Sequence, residues 1–342
     1  MKYISFTNYI KARKCKASVI TPSRLLGKST PRLYSKRQIV GFLFHEIKEK
    51  SAESNLLDDH SSYLKFLDEF KKKYSNSFDF DSLSNLDLWS ETNDILGYMM
   101  DMSDQLQDKA EKVFAIRREQ EFVSNDKIVL AKPDLVLEKG DEVVIYDFKS
   151  GRLNDSKGET KEEYIIQLHF YAGVLNDHYG EKVYKGVLES YLEGTKILSL
   201  DMNYSRNIIA EAKRIREQLN DLFPDKQVPF ETFNENATYD MNNCKFCNVR
   251  AFCKVYKNDY VPPVDDQLYC FSGAVESVDW PGEDKFATII IALGEKNISI
   301  KSIPSKFAKL VSTGQLICLN DVKLISDGEY NYLPWSRLEV YE

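Results

Sequence analysis

Two short segments carry residues able to do chemistry together. Lys132-Pro133-Asp134 closes one apolar stretch, Tyr146-Asp147-Phe148-Lys149 closes another, and the turn signal Gly140-Asp141 lies between them. In a hairpin of that length both carboxylates converge on one point. Facing carboxylates repel unless a cation sits between them, and hard Mg2+ or Mn2+ prefers such oxygen ligands. Lys149, two residues after Asp147, shares its strand face. There it would orient an attacking water and offset negative charge growing on a phosphorus centre. Taken singly, each residue is an ordinary turn or surface group. Paired at the ends of apolar strands, they point to metal-assisted hydrolysis.

A second group is built from sulfur. Cys244-x2-Cys247-x5-Cys253 places three thiols in a short loop, one fewer than a zinc ion or a [4Fe-4S] cluster takes. No fourth ligand lies close in sequence, His178 and Cys270 being the nearest. The six cysteines are unevenly spaced, unlike the disulfide frameworks of small secreted domains, so a reduced intracellular site is expected.

The charge distribution says where a phosphate partner would lie. The net charge is −7, yet no acidic residue precedes Glu46, while Lys2, Lys11, Arg13, Lys14, Lys16, Arg24, Lys28, Arg32, Lys36 and Arg37 are basic. That asymmetry suits a phosphate-facing surface backed by an acidic lobe at 58–108. A mitochondrial transit peptide has the same composition. Here, however, the segment carries Cys15 and leads without a break into a helix the site needs. No apolar run approaches the roughly 18 residues of a membrane span, so a soluble, cytoplasmic protein is expected.

The elements that must hold these groups read as an α/β core. Residues 1–50 are helical pieces broken at Pro22 and Pro31 and ending in an apolar run before His45. An inserted helical lobe follows at about 50–115, with Leu64, Phe66, Leu67 and Phe70, then Ile95, Met99 and Met102, at helical spacing. Strands are expected at 122–130, 132–137 and 142–148, a helix at 160–178, strands at 182–191 and 196–202, and a helix at 205–222. After Pro262-Pro263 the pattern changes to five short strands and one helical stretch at 306–311, suggesting a small all-β barrel, OB-like, over 265–342. Phe271, Trp280, Phe286 or Trp335 could stack on bases there, or belong to its core. The domains expected are therefore 1–260 and 265–342.

Pro133-Asp134, followed thirteen residues later by Asp147-Phe148-Lys149, resembles the PD-(D/E)XK nuclease signature, in its RecB-like branch. Gly41-Phe42-Leu43-Phe44-His45 matches the G-x-x-x-H element of that branch, and Gln167-Leu168-His169-Phe170-Tyr171 its Q-x-x-x-Y helix. The resemblance implies a restriction-endonuclease-like mixed sheet. It also implies one or two Mg2+ or Mn2+ ions on His45, Asp134, Asp147 and the carbonyl of Phe148. Lys149 would activate water, with Gln167 and Tyr171 on one helix face holding Lys149 or a phosphate. Glu119 and Glu121 resemble an acidic position the family often has ahead of its Asp.

In the iron-sulfur nucleases of AddB and CRISPR adaptation exonuclease type, the fourth thiolate is an early cysteine after a Ser-rich helix start. Ser5-Phe6-Thr7-Asn8-Tyr9 leading to Cys15 resembles that element, although Lys16 stands where the family commonly has Pro. The resemblance implies a structural [4Fe-4S] cluster on Cys15, Cys244, Cys247 and Cys253, with zinc as the alternative.

The expected activity is hydrolysis of DNA phosphodiesters. A single-strand or end-acting exonuclease of repair, recombination or anti-phage defence is the leading reading. Its partners would be single-stranded DNA and a helicase or other protein, since the chain has no Walker A motif. The alternatives are a non-catalytic iron-sulfur DNA-binding subunit and a zinc-stabilised RNA-binding module.

Overall fold

Most of the apolar runs between 115 and 200 become one five-stranded sheet. Strands are numbered along the chain, and this sheet has the order β2 (Ala115–Arg118), β5 (Leu135–Lys139), β6 (Glu142–Lys149), β7 (Val183–Ser190) and β8 (Gly194–Ser199). Neighbours are antiparallel except β6 and β7, which run parallel. A parallel pair needs a long crossover, here the helix Glu162–Tyr179. The central strand β6 buries Val143, Val144 and Ile145 in succession, as a strand covered on both faces must.

The computed structural model describes residues 1–27, 34, 36–53, 60–75, 94–95, 98, 115–244, 247–259, 268–282, 286–333 and 336–341. Most of the helical lobe expected at 50–115, with Met99 and Met102, lies outside the described residues, as do Pro31, Pro262-Pro263 and Trp335. Two compact units emerge, interleaved along the chain. The first takes Met1–Arg13, Gly41–Ser62 and Ser90–Pro224; the second takes Lys14–Val40, Tyr63–Trp89 and Asp225–Glu342.

Helices are numbered along the chain, with α2 at Pro22–Leu26 and α4 at His60–Tyr74; those lying wholly or mostly in the first unit are α1 (Phe6–Lys14), α3 (Lys36–Glu53), α5 (Glu162–Tyr179) and α6 (Met202–Leu222). Asp201 caps α6 by accepting the Asn203 N–H at 2.8 Å, satisfying an otherwise orphaned donor. α5 and α6 pack closely because position 173 is glycine: a Cβ there would collide with Ile209 and reach the Ser205 carbonyl oxygen at 3.0 Å. A second sheet joins β1 (Ile4–Ser5), β4 (Val129–Ala131) and β3 (Phe122–Val123). The strand expected over 122–130 is thus two strands around a turn. Lys127 takes a positive φ of 59°, and Ser124 Oγ accepts the Val129 N–H at 2.9 Å. β2, just where the helical lobe is expected to end and where no strand is expected, is an edge strand of the main sheet.

The second unit contains a closed barrel of β9 (Leu268–Asp279), β10 (Phe286–Leu293), β11 (Lys296–Pro304), β13 (Glu329–Asn331) and β12 (Leu316–Ser326). β11 and β13 are its parallel pair; the short helix Ser305–Ala308 links β11 to β12. Ile289, Ile291, Ile300, Ile303, Ile317, Leu319 and Val322 are fully buried inside it. The segment after Arg13 is tied to residues beyond 224: the Val228 N–H donates to the Arg24 carbonyl at 2.7 Å and the Ala17 N–H to that of Asn236 at 3.2 Å. Buried Arg250 links the cysteine-bearing stretch to the barrel, donating to Cys270 Sγ at 2.8 Å and to Asp321 Oδ1 at 2.7 Å. No helix among the described residues is long and apolar enough to cross a membrane.

Candidate active site

The β5/β6 hairpin pairs Leu135 with Tyr146, so one step beyond that register Asp134 faces Asp147. Asp147 is 2% exposed. Asp134 is anchored by the Phe148 N–H, which donates to its Oδ2 at 2.5 Å. Helix α3 brings His45 to the same place, its Nδ1 3.6 Å from Asp134 Oδ1 and 4.0 Å from Glu119 Oε1. Ligand atoms of His45, Glu119 and Asp134 all lie within 4.8 Å of one another.

Glu119 owes its place to backbone geometry. It follows β2 directly and adopts φ 46°, in the left-handed region that non-glycine residues seldom occupy. Its N–H donates to the Asp134 carbonyl at 3.0 Å, and its Oε2 is 2.7 Å from Lys132 Nζ. Strained backbone held by its surroundings gathers at functional sites. From sequence, Glu119 is visible only as part of a resemblance, because no strand is expected over the residues that deliver it.

Lys149 lies across the site from His45. Its Nζ is 2.5 Å from Asp147 Oδ2, donates to Gln167 Oε1 at 2.8 Å and sits 4.6 Å from the centre of the Tyr164 ring. Gln167 in turn donates through Nε2 to Tyr171 Oη at 2.8 Å. Gln167 and Tyr171 are one helical turn apart on α5, so both point at the end of β6. The six side chains His45, Asp134, Asp147, Lys149, Gln167 and Tyr171 are thus gathered at one end of the sheet. Phe148 meets Asp134 through its N–H.

The electrostatics are those of crowded acids. Burial, and then the charge of Asp147, push the Asp134 carboxyl well above the usual carboxylate range, against the Phe148 hydrogen bond. Burial pulls His45 below the ordinary imidazole value, favouring the neutral form that can ligate a metal. Burial would also lower Lys149, but Asp147 and Asp134 outweigh it and hold the ammonium charged. Burial and Asp147 keep Tyr171 a neutral phenol. Carboxylates that resist sharing one pocket, beside a neutral imidazole, form a donor set suited to a hard divalent cation.

Residues 4–254 match the PD-(D/E)XK nuclease superfamily. The chain belongs to that superfamily. PD-(D/E)XK nucleases use divalent metals, which agrees with the donor set. A nominal exonuclease from Eubacterium rectale is 13% identical, with a TM-score of 0.42 over 77% of this chain and 90% of its own. A murine DNA-binding protein bound to double-stranded DNA is 10% identical, with a TM-score of 0.21 over 67% of this chain and 96% of its own. No curated protein matches.

This PD-(D/E)XK protein also gathers its four candidate cysteine ligands. Cys15, Cys244, Cys247 and Cys253 line one small cavity in the second unit, with Phe233, Val249 and Tyr256 among its walls. Each sulfur accepts a main-chain N–H: Cys15 from Thr238 at 3.3 Å, Cys244 from Asp240 at 3.5 Å, Cys247 from Val249, and Cys253 from Val255 and Tyr256. Burial nevertheless raises Cys244 and Cys253 and pushes Cys247 up to about 11, with neighbouring thiols adding to the effect. Sulfurs that are buried (Cys15, Cys244) or half-buried (Cys247, Cys253), mutually repelling when ionised and aimed at by N–H donors fit a thiolate-bound metal centre, which supplies the missing positive charge.

Proposed function

We propose that this PD-(D/E)XK protein is a Mg2+- or Mn2+-dependent deoxyribonuclease of the RecB-like, iron-sulfur branch, acting as an exonuclease on single strands or ends. The observation that carries this reading is the convergence of His45, Glu119 and Asp134 beside the Asp147-Lys149-Gln167-Tyr171 chain. His45, Asp134, Asp147 and the Phe148 carbonyl would hold the cation, with Glu119 as a further ligand. The bound cation would supply Lewis-acid charge at the phosphate and acidify a water. Lys149 positions that water, and Gln167 and Tyr171 fix Lys149.

The cysteine cavity is assigned to a [4Fe-4S] cluster rather than zinc. The four thiols line one cavity, and their order along the chain resembles that of the iron-sulfur nucleases, which is what favours the cluster. The barrel is assigned to the OB type: its order β9-β10-β11-β13-β12, its parallel β11/β13 pair and its helix between β11 and β12 support this, as does the use of such barrels on single strands. A reduced, cytoplasmic setting and a helicase or other protein partner complete the reading.

End-labelled single-stranded and duplex DNA, incubated with the protein and Mn2+ or EDTA, tests it. Metal-dependent shortening of the single strand from an end is expected. No cleavage with Mn2+ would overturn it.

A further inference from the structure

One buried charge pair beside the site has no part in the chemistry above. Lys48 lies one helical turn after His45 on α3, hence on the same face. Its ammonium is hydrogen-bonded to Glu189 Oε1 on β7, and the two side chains are 10% and 4% exposed. Glu189 is the register partner of Phe148, and Lys48 Nζ stands 4.9 Å from the Phe148 ring centre and 5.3 Å from that of Tyr98. Lys48 also lines a cavity with His45, Glu119, Asp134, Phe148 and the exposed Arg118.

An ion pair this deep is expensive to desolvate, and apolar residues of similar size would often pack as well. What the pair achieves is a fixed ammonium. Glu189 occupies one of its three donors and the two rings wall its flanks, which leaves donors for a ligand in the cavity. Lys149, by contrast, is engaged by Asp147 and Gln167, and it does not line this cavity.

We infer that Lys48 binds a phosphate of the substrate strand at the edge of the cation site, and that Glu189 is the residue that positions it. The inference rests on the nuclease reading and divides labour between two lysines. Lys149 serves the water, while Lys48 holds a non-bridging phosphate oxygen. A strand entering the cavity is then gripped between the cation on His45, Glu119 and Asp134 and the ammonium across from it.

The test compares K48Q, K48R and E189Q with the unaltered protein. Binding of a labelled single-stranded oligonucleotide is measured over a range of salt with Ca2+ in place of Mn2+, alongside cleavage with Mn2+ and calorimetric titration with Mn2+ alone. K48Q should lower the slope of log affinity against log salt by about one and reduce cleavage on the order of 10²-fold. Its Mn2+ affinity should stay unchanged. K48R should recover most of both losses, and E189Q should fall between. An unchanged salt slope in K48Q, with K48R no better, would show that the pair merely fastens the helix to the sheet. The slope is read without cleavage, so an unaltered protein that binds but does not cut would sink the nuclease reading alone.

Discussion

Gln167 holds Lys149: its side-chain oxygen accepts from the ammonium at 2.8 Å, while its amide nitrogen donates to Tyr171 Oη. The lysine is therefore clamped between a carboxylate on its own strand and an amide on the crossover helix. Asp147→Ala and Lys149→Ala are expected to abolish cleavage and to leave DNA binding largely intact. Gln167→Ala should retain metal and DNA binding but lose roughly 10- to 10²-fold in turnover, because the ammonium is no longer aimed. Wild-type cleavage by the Asp147 or Lys149 variant would refute the site.

Cation binding should release protons. Asp134 is pushed above the usual carboxylate range by burial and Asp147, so the metal-free fold holds a proton that a cation displaces. Mn2+ affinity should rise with pH through the acidic range, and calorimetry in buffers of different ionisation enthalpy should register proton release. The sign for stability follows: a raised carboxyl binds protons more tightly folded than unfolded. The metal-free protein therefore loses stability as pH climbs from the unfolded Asp value through the raised one. Asp134→Asn should remove that loss, raising the melting temperature by about 2–4 °C per kcal/mol relieved while ending cleavage. Pure destabilisation at neutral pH would contradict the crowding argument.

Anaerobically purified protein should be brown and contain iron and acid-labile sulfide. Cys15→Ala should bleach it and lower its melting temperature, because the tie between Cys15 and the loop at 244–253 then opens a very long chain segment. Stoichiometric zinc without iron would overturn the cluster assignment.

Asp321→Ala should be among the most damaging substitutions outside the active site. Arg250 is 1% exposed and leans on Asp321 Oδ1. Stripping one partner from a buried pair typically costs about 3–5 kcal/mol. Urea unfolding measures this directly, and a loss below about 1 kcal/mol would show that Arg250 is satisfied by other contacts.

The proposed role of the barrel in gripping long strands is better probed by point changes than by deletion from 265 onward, since deletion would strip Arg250 of its contacts with Cys270 and Asp321. Trp280 and Phe286 are 40% and 60% exposed, whereas Phe271 stacks on Tyr269 and packs on the barrel core. Phe286→Ala and Trp280→Ala should each weaken binding of long single strands by about 1–3 kcal/mol if a base stacks there. Cutting of short oligonucleotides should be spared. Unchanged affinity would mean the barrel's outer face serves something other than the strand.

The part of the site built on one hairpin was readable because strand side chains alternate with period two: Asp134, Asp147 and Lys149 could be placed on one face from spacing alone. The helices carrying His45 and Gln167-Tyr171 were placed by motif and needed only the correct rotation. Glu119 was not readable in the same way. Its strand pairs with Leu135–Lys139, and its aim depends on a positive φ that leaves no trace in residue type. The interleaving of the two units was equally silent, because it is carried by main-chain bonds such as Val228 to Arg24, which impose no hydrophobic period.

The cysteine cavity also sets an order of events at the ribosome. Cys15 emerges first and Cys253 last among the four, and at about 5–20 residues per second that separation amounts to about 10–50 s. Throughout that interval the first thiol has no partners, and the main-chain bonds that tie Ala17 and Arg24 to residues beyond 224 cannot yet form. Whatever loads the cavity must therefore act after Cys253 has emerged. If the cavity takes the proposed cluster, a shortage of iron would show itself as an accumulation of thiol-exposed protein.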